Sequence, residues 1–246
     1  MKIQDLFESE STTQDVSEYV GWMVDRIKKD CGAAITKLPF PLFRGLTGDL
    51  WHVGFILKGG TVRKNRTPKD TSAEITAALN DAIKTATGIE RARNTTLFCT
   101  PSAHTAQLYT PYNQDGDEYM IFPVGDFDFV TSDYIRDAYA NLEIEADEWL
   151  MDNPEWAAKA MKKMKLKDGG PGDGPFGLDQ HQVEAVCATM IRDNAKAIFK
   201  LNKWPTKYRG TDYEVLINCD KFYAINVGEL KVKYQLTPKE LLRKLK

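Results

Sequence analysis

The segment Asp212-Tyr213-Glu214-Val215-Leu216-Ile217-Asn218-Cys219-Asp220-Lys221-Phe222-Tyr223-Ala224-Ile225 limits the fold of this chain more than any other. Valine, leucine, isoleucine, phenylalanine and tyrosine crowd both of its halves, and a polar stretch separates them. Such residues suit a pleated, half-buried surface, so the segment reads as two strands joined by a tight turn. Glu214 stands at the mouth of the first strand. A carboxylate there is costly if it is buried without a partner. Two upstream segments offer partners: Leu42-Phe43-Arg44-Gly45-Leu46 and Leu97-Phe98-Cys99-Thr100-Pro101-Ser102.

The rest of the chain supplies helices around those strands. Ser11 to Lys29 carries Val16, Tyr19, Val20, Met23 and Ile27 on one stripe, with Ser11, Thr12 or Thr13 as cap. Strands are expected near Leu42 to Arg44 and from Leu50 to Leu57, the second closed by Gly59-Gly60. A helix from about Thr71 to Thr87 buries Ile75, Leu79, Ala82, Ile83 and Ala86 and ends at Gly88. Thr95 to Thr100 and Glu118 to Val124 read as strands, with one or two helical turns between them from Ser102 to Tyr109.

Helices are then expected from Ser132 to Met151, from Pro154 to about Met164, and from Asp179 to Leu201, the last two separated by a Gly/Pro/Asp connector at Asp168 to Gly177. Thr237-Pro238-Lys239-Glu240 is a capping box before a short basic helix. Strands early and late, with a helical block over about 132–201 between them, predict an α+β fold rather than a doubly wound sheet. The expectation is a single domain over 1–246.

Composition narrows the function classes. The chain has 246 residues, 42% hydrophobic and 28% charged, which is ordinary for a soluble globular protein. A net charge of -2 excludes a broadly basic nucleic-acid coat, so an anionic ligand must be held by local positive charge. Cys31, Cys99, Cys187 and Cys219 form no Cys-x-x-Cys pair, which argues against zinc and for reduced thiols in a cytoplasm. The first residues have no long apolar run and carry acids, unlike a secretory signal. No stretch approaches the ~20 apolar residues that span a bilayer, so no membrane partner is expected.

Three positions stand out for chemistry. Arg44 ends an apolar strand ahead of Gly45; it can grip a diphosphate bidentately or make a surface ion pair. Thr100 and Ser102 can present hydroxyls to a neighbouring carboxylate, and Ser102 can equally cap the helix that follows. Asp212 and Glu214 would share one side of an extended chain, where like charges assist acid–base work, or they would frame a solvated hairpin entrance. Arg63, Lys64, Arg66 and Lys69, with Arg91 and Arg93, read as basic loops in solvent that could also hold a phosphate or a nucleic-acid acceptor. Asp126-Phe127-Asp128 puts two acids on one strand face, a common pattern by chance. His104 lies near Cys99 in sequence, but no protease signature surrounds either, and His52 and His181 carry no evident chemistry.

Taken together, Leu42-Phe43-Arg44-Gly45-Leu46, Phe98-Cys99-Thr100-Pro101-Ser102 with Ala106, and Asp212-Tyr213-Glu214-Val215-Leu216-Ile217 resemble the mono-ADP-ribosyltransferases of the arginine / Ser-Thr-Ser / Glu-x-Glu class, in particular toxin-like members from bacteria and their phages. Tyr119 to Gly125 also looks like the strand that follows the Ser-Thr-Ser helix there. The chain departs from the pattern at Thr100, which keeps the hydroxyl, and at Asp212, which is shorter than the usual acid or glutamine.

The resemblance implies a split antiparallel β core with flanking helices and a helical insertion at about 132–201. It implies NAD as substrate and a macromolecular acceptor, protein or nucleic acid, in the cytoplasm of a bacterium or phage-infected host. Glu214 would stabilise the ribosyl cation, Thr100 or Ser102 would orient it, and Asp212 would position the acceptor. Arg44, Gly45, Phe98 and Tyr109 would hold NAD, and no metal is implied. An NAD glycohydrolase or nucleic-acid N-glycosidase would use the same cation chemistry. A non-catalytic binding or virion-associated module is the reading from another class.

Overall fold

The two strands flanking Cys219 do not pair with each other. In the computed structural model, β8 (Val215–Asn218) and β9 (Lys221–Asn226) belong to different antiparallel sheets. The expected hairpin is therefore corrected. A two-residue hairpin loop favours glycine or asparagine at central positions with positive φ, and Cys219-Asp220 provides neither. Both strands take partners from upstream instead.

The structure describes residues 13–46, 50–66, 71–108, 117–136, 151–163, 180–206 and 212–246. The remaining elements are α1 (Thr13–Asp30), α2 (Gly32–Lys37), β1 (Leu42–Leu46), β2 (Trp51–His52), β3 (Leu57–Thr61), α3 (Ala73–Thr87), α4 (Ala92–Thr95), β4 (Leu97–Cys99) and α5 (Ala103–Leu108). They continue with β5 (Asp117–Pro123), β6 (Asp128–Ser132), α6 (Pro154–Lys163), α7 (Gln180–Asp193), α8 (Ala195–Ile198), β7 (Phe199–Leu201), α9 (Val227–Tyr234) and α10 (Pro238–Leu245). The fold is α+β with two antiparallel sheets, as the order of strands and helices predicts. Among the described residues no helix is long and apolar enough to cross a membrane.

The chain forms two compact units: Met1–Thr61, Pro101–Phe127 and Cys219–Lys246 make the first, Val62–Thr100 and Asp128–Asn218 the second. The first holds the sheet β1-β5-β9-β3-β2. Its Tyr19, on α1, is a hub. The phenol accepts from the Ile56 and Leu57 amides at 3.0 and 3.3 Å, and the ring lies 5.4 Å from both Trp22 and Tyr234. The C-terminal capping box forms as the sequence predicts, and α10 buries Leu241, Leu242 and Leu245.

Within this unit the strand expected over Leu50 to Leu57 is two shorter strands. Gly59 and Gly60 lie inside β3 rather than closing a strand. The reason is close approach. A Cβ on Gly59 would sit 2.1 Å from the Trp51 indole, and one on Gly60 would sit 2.2 Å from the Phe222 ring. Each aromatic lies across its cross-strand glycine partner.

The second unit holds the sheet β4-β8-β6-β7. Its core joins Ile75, Leu79 and Ile83 of α3 to Val186, Met190 and Ile191 of α7, with Val130 and Leu216 from the sheet. Ser72 caps α3, and Gly88 ends it in the left-handed conformation. The strand expected from Thr95 starts at Leu97, because Thr95 completes α4.

The helix expected from Ser132 is also corrected at its start: Ser132 is the last residue of β6. Its hydroxyl accepts from the Tyr134 and Ile135 amides at the end of that strand. The helix expected over Asp179 to Leu201 stops at Asp193, and Phe199–Leu201 is a strand. A short apolar run does not distinguish helix from strand by period. Here β7 pairs with β6, Val130 opposite Leu201 and Ser132 opposite Phe199. Asp126 and Asp128 do not share a strand: a turn at Gly125 precedes β6, which begins at Asp128. Residues 137–150, Lys69, Tyr109 and the connector at 168–177 lie outside the described residues.

Two outcomes follow. Gly60→Ala is expected to lower the urea-unfolding free energy by about 1–3 kcal/mol, since Phe222 is buried and cannot yield, while Gly59→Ala costs less because Trp51 is 42% exposed. Burial also pushes the Cys31 thiol and the Tyr213 phenol up to about 12. Both stay neutral in the fold while the unfolded chain ionises from about pH 9 upward. Their contribution is whole below that pH and falls as pH rises towards about 12, so urea midpoints should drop across this window. The drop should be shallower in Cys31→Ala.

Candidate active site

The β4–β8 pairing organises the candidate site in the second unit. Leu97 faces Ile217, Phe98 faces Leu216 and Cys99 faces Val215. Side chains alternate along a strand, so Phe98 and Thr100 share a side, as do Leu216 and Glu214. The ladder ends with that last pair, and Thr100 and Glu214 are the next residues beyond it on their two segments. Thr100 is buried, and Phe98 packs half-buried against the core that includes Leu216.

Glu214 is anchored on both of its ends. Its amide donates to the Arg136 carbonyl at 2.6 Å. Its carboxylate Oε1 accepts from Arg93 Nη1 in an ion pair, with side-chain exposures of 21% for the acid and 3% for the arginine. Arg93 thus lies in the interior, not in the solvated loop that the sequence suggests. A guanidinium at that depth requires a counter-charge, and Glu214 provides it.

Arg66, expected in a solvated loop, packs as well. The guanidinium carbons of Arg66 and Arg93 lie 3.7 and 4.2 Å from the Phe98 ring centroid. Arg66 Nη2 donates to the Arg93 carbonyl at 3.0 Å, and Asn80 of α3 accepts from the Arg93 amide at 2.8 Å. Sequence reading missed this role for Arg93, Arg66 and Asn80. One signal was present: a partly buried glutamate needs a cation, and Arg93 lies closer in sequence to the Phe98 strand than Arg44 does.

Beside the ion pair is a cavity of about 20 Å³, bordered by Thr131, Ser132, Leu79, Ile83 and Phe199. That volume holds about one water, and it is far too small for a nicotinamide ring. The Thr131 and Ser132 hydroxyls are engaged, one donating to the Lys203 carbonyl at 2.7 Å and the other capping the turn at Tyr134.

The other candidates fall in different surroundings. Asp212 is exposed, with Tyr213 buried between it and Glu214. Ser102 caps α5: its hydroxyl accepts from the Thr105 amide at 3.1 Å. Arg44 and Gly45 lie on β1 of the first unit, opposite Tyr119 and Glu118. Among the described residues no cluster of His, Cys, Asp or Glu could hold a metal ion, and Asp128 accepts from Asn202 at 2.7 Å. The chain matches no protein-family model, no curated protein and no solved structure.

Removing one partner of a buried ion pair leaves the other uncompensated. Glu214→Ala is expected to cost about 3 kcal/mol of stability, and the double change Arg93→Met/Glu214→Leu to recover most of it. Urea midpoints of the two variants and the parent give the answer.

Proposed function

We propose that the chain is an NAD-dependent mono-ADP-ribosyltransferase that moves ADP-ribose from NAD to a macromolecular acceptor and releases nicotinamide. The carrying observation is the β4–β8 register, which supports the pairing of a hydroxyl-bearing strand end at Thr100 with the carboxylate of Glu214. Two antiparallel sheets with flanking helices agree with the split β core that the resemblance implies.

The chemistry follows from charge. The bond between ribose C1′ and the nicotinamide nitrogen breaks, and the bonding pair leaves with nicotinamide. Positive charge spreads over C1′ and the ring oxygen. Glu214, held ionised by a neighbouring guanidinium, stabilises that charge where it develops. The acceptor nucleophile attacks C1′, and its proton passes to Asp212 or to solvent. In this reading Thr100 steadies Glu214. Phe98 supports the site through the arginines over its ring.

Incubation of the chain with labelled NAD and a cell lysate should place label on a macromolecule. Glu214→Asp should lower the rate by about 100-fold or more at an unchanged fold, checked by circular dichroism. Thr100→Val should reduce it more than Ser102→Ala, whose main effect is the loss of the α5 cap at about 1 kcal/mol of stability. Intact NAD after prolonged incubation would refute the reading. Free ADP-ribose without labelled product would mark a hydrolase instead.

A further inference from the structure

We infer that Arg93 is the positioning residue of this site: lodged over the Phe98 ring, it sets where the Glu214 carboxylate sits and keeps it charged. The inference rests on the transferase reading above and adds a residue that the resemblance does not include.

Arg93 is held from several sides. Its amide donates to Asn80 Oδ1 at 2.8 Å, and its carbonyl accepts from Arg66 Nη2 at 3.0 Å. The next residue, Asn94, is locked in turn. It accepts from Asn80 Nδ2 at 2.8 Å through its side chain, accepts from the Arg66 amide at 3.2 Å through its carbonyl, and donates to the Arg66 carbonyl at 2.6 Å. Helix α3, the segment before it and the α4 turn therefore converge on one short piece of backbone.

The head group is fixed as well. Nη1 donates to Glu214 Oε1, the guanidinium carbon lies 4.2 Å from the Phe98 centroid, and Nε is buried with no hydrogen-bond partner among the described residues. A head group kept 3% exposed on those terms has little freedom to turn. The carboxylate it grips inherits that rigidity.

Arg66, 3.7 Å from the same centroid, adds positive potential to the cluster and favours the ionised acid. The arrangement suits arginine and not lysine. A planar guanidinium covers a ring with its face while donating from its edge, whereas an ammonium is a point charge on a flexible stem.

The full-length chain carrying Arg93→Lys or Arg93→Gln, assayed with NAD and the lysate acceptor, tests this. Arg93→Lys keeps the buried cation but not the geometry. Its kcat should fall about 100-fold, as expected for a misplaced catalytic group, while KM for NAD stays within about threefold. Arg93→Gln removes the charge, so the acid limb of its kcat–pH profile should move up by about one unit or more. An arginine of structural importance alone lowers the urea midpoint and moves neither readout in the folded enzyme. If Arg93→Gln does not fold, Arg93→Lys carries the test by itself. Arg93→Lys with wild-type kcat in an active enzyme overturns the inference and leaves the transferase reading standing. A wild-type chain that leaves NAD intact overturns that reading, and the inference with it.

Discussion

The second unit depends on a charge that cannot stay alone. Arg93 carries a guanidinium almost wholly out of water, and removing such an ion from solvent without a counter-charge costs several kcal/mol. Glu214 answers it, and four pieces of chain must converge for that to happen. α4 turns Arg93 inward, Asn80 on α3 holds its amide, Phe98 on β4 lies against its head group, and the start of β8 brings the acid. In the proposed reading the pair serves fold and chemistry together. A carboxylate kept charged beside a fixed cation is suited to meet developing positive charge, and the same contact makes it hard to alter the acid without disturbing the core.

Aromatic side chains do comparable work in the first unit without charge. Tyr19 joins α1 to the loop before β3 through its hydroxyl and to Trp22 and Tyr234 through its ring. Trp51 and Phe222 each lie across a glycine on the neighbouring strand. The β3 backbone can therefore be covered closely by rings, which explains two consecutive glycines inside a strand, where their lost entropy is otherwise a cost.

Much of the fold was legible from local chemistry. The α1 and α3 stripes, the Gly88 cap, the Thr237 capping box and the α+β class follow from periodicity and end signals that act within a few residues. Failures came where local signals are degenerate. Phe199–Leu201 fits a helix or a strand equally and becomes a strand because β6 lies beside it. Ser132 is a good capping residue at the end of either element. The strands around Cys219 looked like a hairpin because they are adjacent in sequence, yet upstream strands offered both of them partners.

For the candidate site, the sequence by itself determined that a glutamate at the head of an apolar strand needs a partner, and that Thr100 ends a strand of its own. Those statements depend on residue type and spacing alone. Only tertiary structure decided that β4 and β8 are neighbours, that Thr100 and Glu214 each lie one residue beyond their last pair, and that the cation is Arg93, a residue whose local sequence suggests solvent. The reason is physical. Strand pairing and the desolvation of a charge are set by groups far apart along the chain, and neither leaves a periodic signature in the residues nearby.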